Sequence, residues 1–265
     1  MIDVRAILLD WGGTLVHAHR QQSTRIRCAH ACVDYLHRMA VPISEAQAGD
    51  LTTRFCAQVD DHRAPDDITE FDSRTWIAQW AADHAIGLPE TFDWTACINA
   101  TWQAWRGCLD LIGDVPATLL RLRDAGLVLG LVSNCATPAH IARDELARLG
   151  ILKHVSMTLF SSELGWRKPH PRVYRTAVER LQRTVPAIRT DQICYVGDTP
   201  HADVDGPALC GMRTALVGTG NWSGDPGDLA TAPDIICASI HDLPNRLGNP
   251  HRRAPHTATG TTGAF

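Results

Sequence analysis

From residue 116 to 237 the chain alternates short apolar runs with segments of helical period, and this alternation constrains the fold more than any other feature. Apolar runs at 127–132, near 155–160, at 193–196, at 213–217 and near 234–237 are separated by helical patterns at 116–125, 138–149, 171–183 and 203–210. Runs this short and this continuously apolar read as strands buried on both faces. Strands joined through single helices lie parallel. The expectation is therefore an α/β protein with a doubly wound parallel sheet, whose active groups sit at the carboxyl ends of the strands. One further apolar run, 4–9, stands far upstream and ends at Asp10 and the turn signal Gly12-Gly13. It reads as another strand of the same sheet.

Between these two parts, from about 20 to 108, the pattern changes to Ala-, Arg- and Gln-rich segments with apolar and aromatic residues at helical spacing. Breaks fall at Val41-Pro42, around Ala64-Pro65 and at Gly87-Leu88-Pro89. The organisation expected is an α/β core from 1–15 and 116–247, an inserted all-helical unit at 16–115, and a tail at 248–265 that lacks periodicity and reads as disordered. Trp76, Trp80, Trp94, Trp102 and Trp105 in the insert read mainly as core.

A formal charge of -4 gives no basic face for a nucleic acid. The start of the chain has neither a signal-peptide pattern nor a span for a membrane helix, so a cytoplasmic protein acting on a small molecule is expected. Nothing in the sequence fixes an oligomeric state. Nine cysteines occur without a Cys-x-x-Cys pair or zinc-ligand spacing, and packed free thiols are the reading for them, Cys28 and Cys32 on one helix included. Lysine occurs only at 153 and 168, which limits where amine chemistry can reside.

Four segments carry chemistry. Asp10-Trp11-Gly12-Gly13-Thr14 places a carboxylate at a strand end beside a turn whose Gly13 amide and Thr14 hydroxyl suit a phosphate. Ser133 and Asn134 close the run 127–132 with a hydroxyl and an amide that can bond a phosphoryl oxygen. Lys168 lies in Lys168-Pro169-His170-Pro171-Arg172-Val173-Tyr174, where two prolines fix the backbone and aim one ammonium. Such a cation can hold two anions together against their repulsion. Gly197-Asp198-Thr199-Pro200-His201-Ala202-Asp203 follows the run 193–196 and offers hard carboxylate ligands of the kind magnesium takes. Asp203 also reads as the cap of the helix expected from 203.

The order of these segments resembles the haloacid dehalogenase superfamily, whose pattern is Asp-x-Asp-Gly-Thr, then Ser or Thr, then Lys, then Gly-Asp-x-x-x-x-Asp. The resemblance spans roughly residues 4–247 and implies a Rossmann-like core. It implies that Asp10 attacks phosphorus to form an aspartyl phosphate, and that Asp10, Asp198 and the backbone carbonyl of Gly12 ligate Mg2+, with Asp203 as a ligand or in support. It implies that Ser133 and Lys168 hold the phosphoryl group, and that the 16–115 insert is a helical cap that closes over the site and selects a small phosphorylated substrate. Only 34 residues lie between Ser133 and Lys168, too few for a cap at the alternative insertion point.

One position departs from the pattern. The family's usual second Asp, which protonates the leaving oxygen and activates water, is Gly12 here. Proton transfer of that kind contributes about a hundred- to ten-thousand-fold. A Schiff-base phosphonatase, which carries a similar Asp-Trp-small-Gly-Thr segment, needs a cap lysine, and no lysine occurs between 1 and 152. Metal-independent dehalogenases lack the acidic pair represented here by Asp198 and Asp203. Phosphate-ester hydrolysis is the preferred reading, with an easily expelled leaving group or a substitute acid among His17, His19 and His201. The alternatives are a phosphate- or metabolite-binding protein with impaired turnover and, ranked below it, a dehalogenase- or phosphonatase-like hydrolase.

Overall fold

A computed structural model describes residues 3–18, 21–61, 68–218 and 230–247; the 248–265 tail and His19 lie outside the described residues. In chain order the elements are β1 (Ala6–Leu9), β2 (Val16–Ala18), α1 (Gln21–Arg38), α2 (Glu45–Asp61), α3 (Ser73–Asp83), α4 (Trp94–Gln103), β3 (Leu109–Leu111) and α5 (Val115–Asp124). There follow β4 (Val128–Ser133), α6 (Ala139–Arg148), β5 (Met157–Phe160), α7 (Pro171–Thr184), β6 (Ile193–Gly197), α8 (Gly206–Leu209), β7 (Arg213–Val217), β8 (Ile235–Cys237) and α9 (Leu243–Leu247).

Six strands pair in parallel in the order β5-β4-β1-β6-β7-β8. Their continuous apolar sequence follows from burial on both faces. Ile7 and Leu9 of β1 join a core with Leu119, Leu122, Ala142 and Leu146, whereas Ala6 and Leu8 join a second core with Val173, Tyr174, Ala177 and Leu181. Successive side chains of a strand point to opposite faces, so a sheet covered by helices on both sides needs apolar residues at every position. At the start of α7, Pro171 occupies the first turn, where its missing N–H costs nothing, and the His170 ring accepts from Arg172 N.

The helical insert has its own core. Cys28, Cys32 and Leu36 of α1 pack with Leu51 and Phe55 of α2, Ile77 and Trp80 of α3, and Cys97 and Trp102 of α4. Phe55 meets Trp76 edge to face at 5.7 Å between ring centroids and lies tilted against Trp102 at 6.1 Å. Burial pushes the Cys28 thiol up to about 12, so it packs as a neutral group.

Two expectations need correction. The 16–115 stretch is not wholly helical, because β2 and β3 pair antiparallel where the chain leaves and re-enters the sheet region. These three-residue strands are 93 positions apart in register (Val16 with Leu111 is 95, Ala18 with Leu109 is 91), so no local turn announces them. The helix expected from 203 begins earlier, as a wide π turn over Pro200–Asp205 that runs into α8. Asp203 therefore lies inside the turn rather than capping it.

Candidate active site

The strand order reverses at β1: the chain moves from β1 to β4 and β5 on one side and returns to β6, β7 and β8 on the other. Connections that leave adjacent strands in opposite directions open a crevice at their carboxyl ends. Asp10 follows β1, Ser133 ends β4 and Asp198 follows β6, so the topology brings three of the four segments to this crevice. Lys168 enters from the connection between β5 and α7.

Lys168 Nζ donates to Asp10 Oδ1 and to Asp203 Oδ1, each at 2.7 Å, and Thr14 Oγ1 donates to Asp10 Oδ2 at 3.4 Å. All of these side chains are buried, and the ligand oxygens of Asp10, Asp198 and Asp203 lie within 4.8 Å of one another. Burial pushes Asp10 up to about 7; Lys168 opposes that shift, and Asp203 and Asp198 add to it. Burial disfavours the Lys168 charge as well, but Asp10 and Asp203 outweigh it and hold the ammonium well above its usual pKa. The cluster is thus rich in negative charge and has one buried cation to balance it.

Local sequence explains how these groups are held. Asp203 N donates to Thr199 O at 2.7 Å, and Thr199 N donates back to Asp203 Oδ2 at 2.9 Å. The wide turn aims the carboxylate at Lys168; π turns of this kind recur at functional sites. A Cβ built at Gly197 would overlap the Asp203 carboxyl group, which is why glycine precedes Asp198. Gly197→Ala is expected to lower the melting temperature by roughly 3–10 °C through overpacking. A thermal melt showing no shift would mean that Asp203 moves aside freely.

Other residues of the four segments are held by contacts that the sequence did not announce. Asn134 is bonded on both sides of its amide: Lys168 N donates to its Oδ1 at 2.7 Å, and its Nδ2 donates to Lys168 O at 3.0 Å. It clamps the lysine backbone, and the second N–H of its amide is not used in these two bonds. Gly13, at φ 82°, supplies the left-handed turn, and its N–H donates to Val16 O at 2.8 Å. Ser133 is buried at the end of β4, with its Oγ 3.4 Å from Asn134 O. His201 is exposed and faces Asp205 at 3.5 Å; His17 is exposed on β2, in register with Asp110. Neither imidazole is a hydrogen-bond partner of Asp10, whose side chain is engaged by Thr14 and Lys168.

Gly12 is exposed, and a Cβ built there would meet nothing within 4 Å. The position is open space, not a site that only glycine fits.

Two tyrosines complete the setting. Tyr195 in β6 donates to Val132 O at 2.9 Å and places its ring 5.2 Å from Lys168 Nζ, and Tyr174 donates to Ala202 O within the wide turn. Gly206 has no room for a side chain because Tyr174 Oη occupies it. Tyr174 was visible as the end of the Lys-Pro-x-Pro-x-x-Tyr run. Tyr195 looks in sequence like any apolar strand residue.

Residues 4–211 match the family model of the haloacid dehalogenase-like hydrolases. Phosphoserine phosphatase of Thermus thermophilus is 30% identical over 133 residues, 50% of this chain and 49% of that protein. Phosphoglycolate phosphatase of Escherichia coli is 33% identical over 141 residues, 53% of this chain and 52% of that protein. The chain thus spans about half the length of the curated relatives it matches. In fold it is similar to an HAD phosphatase from Thermococcus onnurineus, with a TM-score of 0.60 at 20% identity over 93% of this chain and 99% of that one.

Proposed function

The chain belongs to the haloacid dehalogenase-like hydrolases, and on that premise we propose that it is a magnesium-dependent phosphatase of a small phosphorylated metabolite, with Asp10 as nucleophile. The observation that carries this reading is the placement of one buried ammonium, Lys168, at 2.7 Å from both Asp10 and Asp203 in the crevice where the strand order reverses.

The donor set fits a hard divalent cation. Asp10, Asp198 and Asp203 are buried oxygen ligands within reach of one another, three carboxylates beside the single ammonium of Lys168. Asp10, Asp198 and the carbonyl of Gly12 would hold Mg2+, with Asp203 as a further ligand or a support. When bound, it would supply charge neutralisation for the phosphoryl oxygens and for the approach of one anion to another.

The chain's own residues do the rest. The Asp10 carboxylate attacks phosphorus, the bond to the leaving oxygen breaks, and an aspartyl phosphate forms. Water then attacks phosphorus, releasing phosphate and restoring Asp10. Lys168 neutralises charge on both the nucleophile and the phosphoryl group, while Ser133 and Thr14 contribute hydroxyl donors. Asn134 keeps Lys168 in place. No side chain at position 12 protonates the leaving oxygen, and the open space there admits solvent instead. Leaving groups that are already weak bases are favoured, such as those of acyl, enol or aryl phosphates. The helical insert acts as a cap that shields the site and selects the substrate.

Phosphate release from a panel of phosphorylated metabolites tests this reading. Release is expected with Mg2+, is lost with EDTA and returns when Mg2+ is restored, whereas halide release from haloacids is absent. Release that survives chelation would sink the magnesium mechanism. Because position 12 lacks an acid, a second reading is a metabolite-binding protein, and binding of a metabolite without any release would favour it.

A further inference from the structure

Residues 68–72, between α2 and α3 of the helical insert, lie along 165–167, the residues that lead into Lys168. Glu70 N donates to Gly165 O at 3.0 Å and Arg167 N donates to Ile68 O at 2.8 Å, with Thr69 and Trp166 bridged antiparallel between them. The insert therefore pairs with the core like a short strand. At the centre is the Glu70 side chain, 2% exposed. Its carboxylate accepts from Phe71 N at 2.8 Å, from Arg167 Nη1 at 3.3 Å and from the Ser161 hydroxyl.

The contacts continue past Glu70. Ser161 has one proton, which goes to Glu70, and its oxygen accepts from Cys135 N at 2.6 Å. Cys135 directly follows Ser133 and Asn134, and Asn134 holds the Lys168 backbone from both sides. One carboxylate from the insert is thus bonded towards both loops that handle the phosphoryl group, through Arg167 to Lys168 and through Ser161 to the turn after β4. A buried carboxylate is stable only while such partners remain in place. By contrast, the Arg106–Asp144 pair, which also ties the insert region to α6, is exposed on both sides, at 40% and 60%. Exposed pairs of that kind fix little.

We infer that Glu70 is a positioning residue: its seating against Ser161 and Arg167 sets the geometry of Lys168 and of the Ser133-Asn134 turn, so that docking of the helical insert and assembly of the site are one event. The inference rests on the proposed phosphoryl-handling roles of Lys168 and Ser133, but its first test does not.

Because Lys153 and Lys168 are the only lysines, protein labelled with 13C at lysine Cε gives two side-chain resonances, one from each. Glu70→Ala is expected to shift and broaden the Lys168 resonance and leave that of Lys153 in place, while Arg106→Ala moves neither. Glu70→Gln keeps an acceptor oxygen for Ser161 and is expected to recover most of the wild-type position. In the phosphatase assay Glu70→Ala is expected to lower kcat by about 10- to 100-fold with a smaller change in KM, as misplacement of a charge-stabilising group does. Should Glu70→Ala fail to fold, Ser161→Ala breaks the same relay and carries the same expectation. A Lys168 resonance unchanged in folded Glu70→Ala, or moved equally by Arg106→Ala, overturns the inference. If the wild type releases no phosphate from any substrate, the phosphatase reading fails and the resonance arm still decides the role of Glu70.

Discussion

Asp10→Asn is expected to abolish phosphate release, by on the order of 10⁴-fold or more, because an amide has no anionic oxygen with which to attack phosphorus. The fold should survive the change. Asn keeps the shape of Asp, and Lys168 keeps its 2.7 Å contact with Asp203. The sign of the stability effect follows from the titration of Asp10. Burial, opposed by Lys168 and reinforced by Asp203 and Asp198, raises it from 3.8 to about 7. A carboxyl group whose pKa is raised on folding binds its proton more tightly in the native state, so its contribution falls as pH climbs from about 4 to 7 and stays low above that. Metal-free Asp10→Asn at pH 8 is therefore expected to match or exceed the wild-type melting temperature while lacking activity. Phosphate release at the wild-type rate in the folded variant would sink the aspartyl-phosphate mechanism. A large fall in melting temperature would instead mean that Asp10 holds the crevice together.

Gly12→Asp is expected to act in the opposite direction. The position is exposed and a side chain there meets nothing within 4 Å, so the substitution adds a carboxyl group without displacing a neighbour. A carboxyl group two residues beyond Asp10, the proposed nucleophile, can donate a proton to the leaving oxygen and later take one from water, a contribution of about 10²- to 10⁴-fold. The gain should depend on the leaving group. Alkyl phosphates, whose alkoxides are poor leaving groups, should approach the full gain, while p-nitrophenyl phosphate should change little. In wild type, kcat/KM should fall steeply with leaving-group pKa, and the variant should flatten that slope. An unchanged slope would show that proton supply does not limit this protein.

The clearest sequence signals were those in which a side chain's chemistry and a strand's end coincide. Asp10, Ser133, Lys168 and Asp198 each stand at an apolar run or a proline-fixed turn, and all are buried at one crevice. For Asn134 and Gly13 the sequence gives a strand end and a turn, but not the partners of their polar groups. The structure shows the Asn134 amide and the Gly13 N–H engaged by Lys168 and Val16, because a polar group near the backbone bonds whatever the chain brings beside it. Glu70 and Ser161 gave no signal. Their significance depends on contact between positions 91 residues apart, which no local pattern encodes.

By itself the sequence determined the strand and helix alternation, and with it a parallel sheet covered on both faces, because strands buried on two sides must be apolar at every position. It also determined that position 12 is a glycine, with no side chain to carry a proton. Tertiary structure alone decided the strand order, the β2–β3 ribbon, the distances between Lys168 and its two carboxylates, and the seating of Glu70 against the core. Those features are set by long-range packing and burial, and the same burial pushes Asp10 upward and makes each buried charge depend on partners that the chain supplies from distant positions.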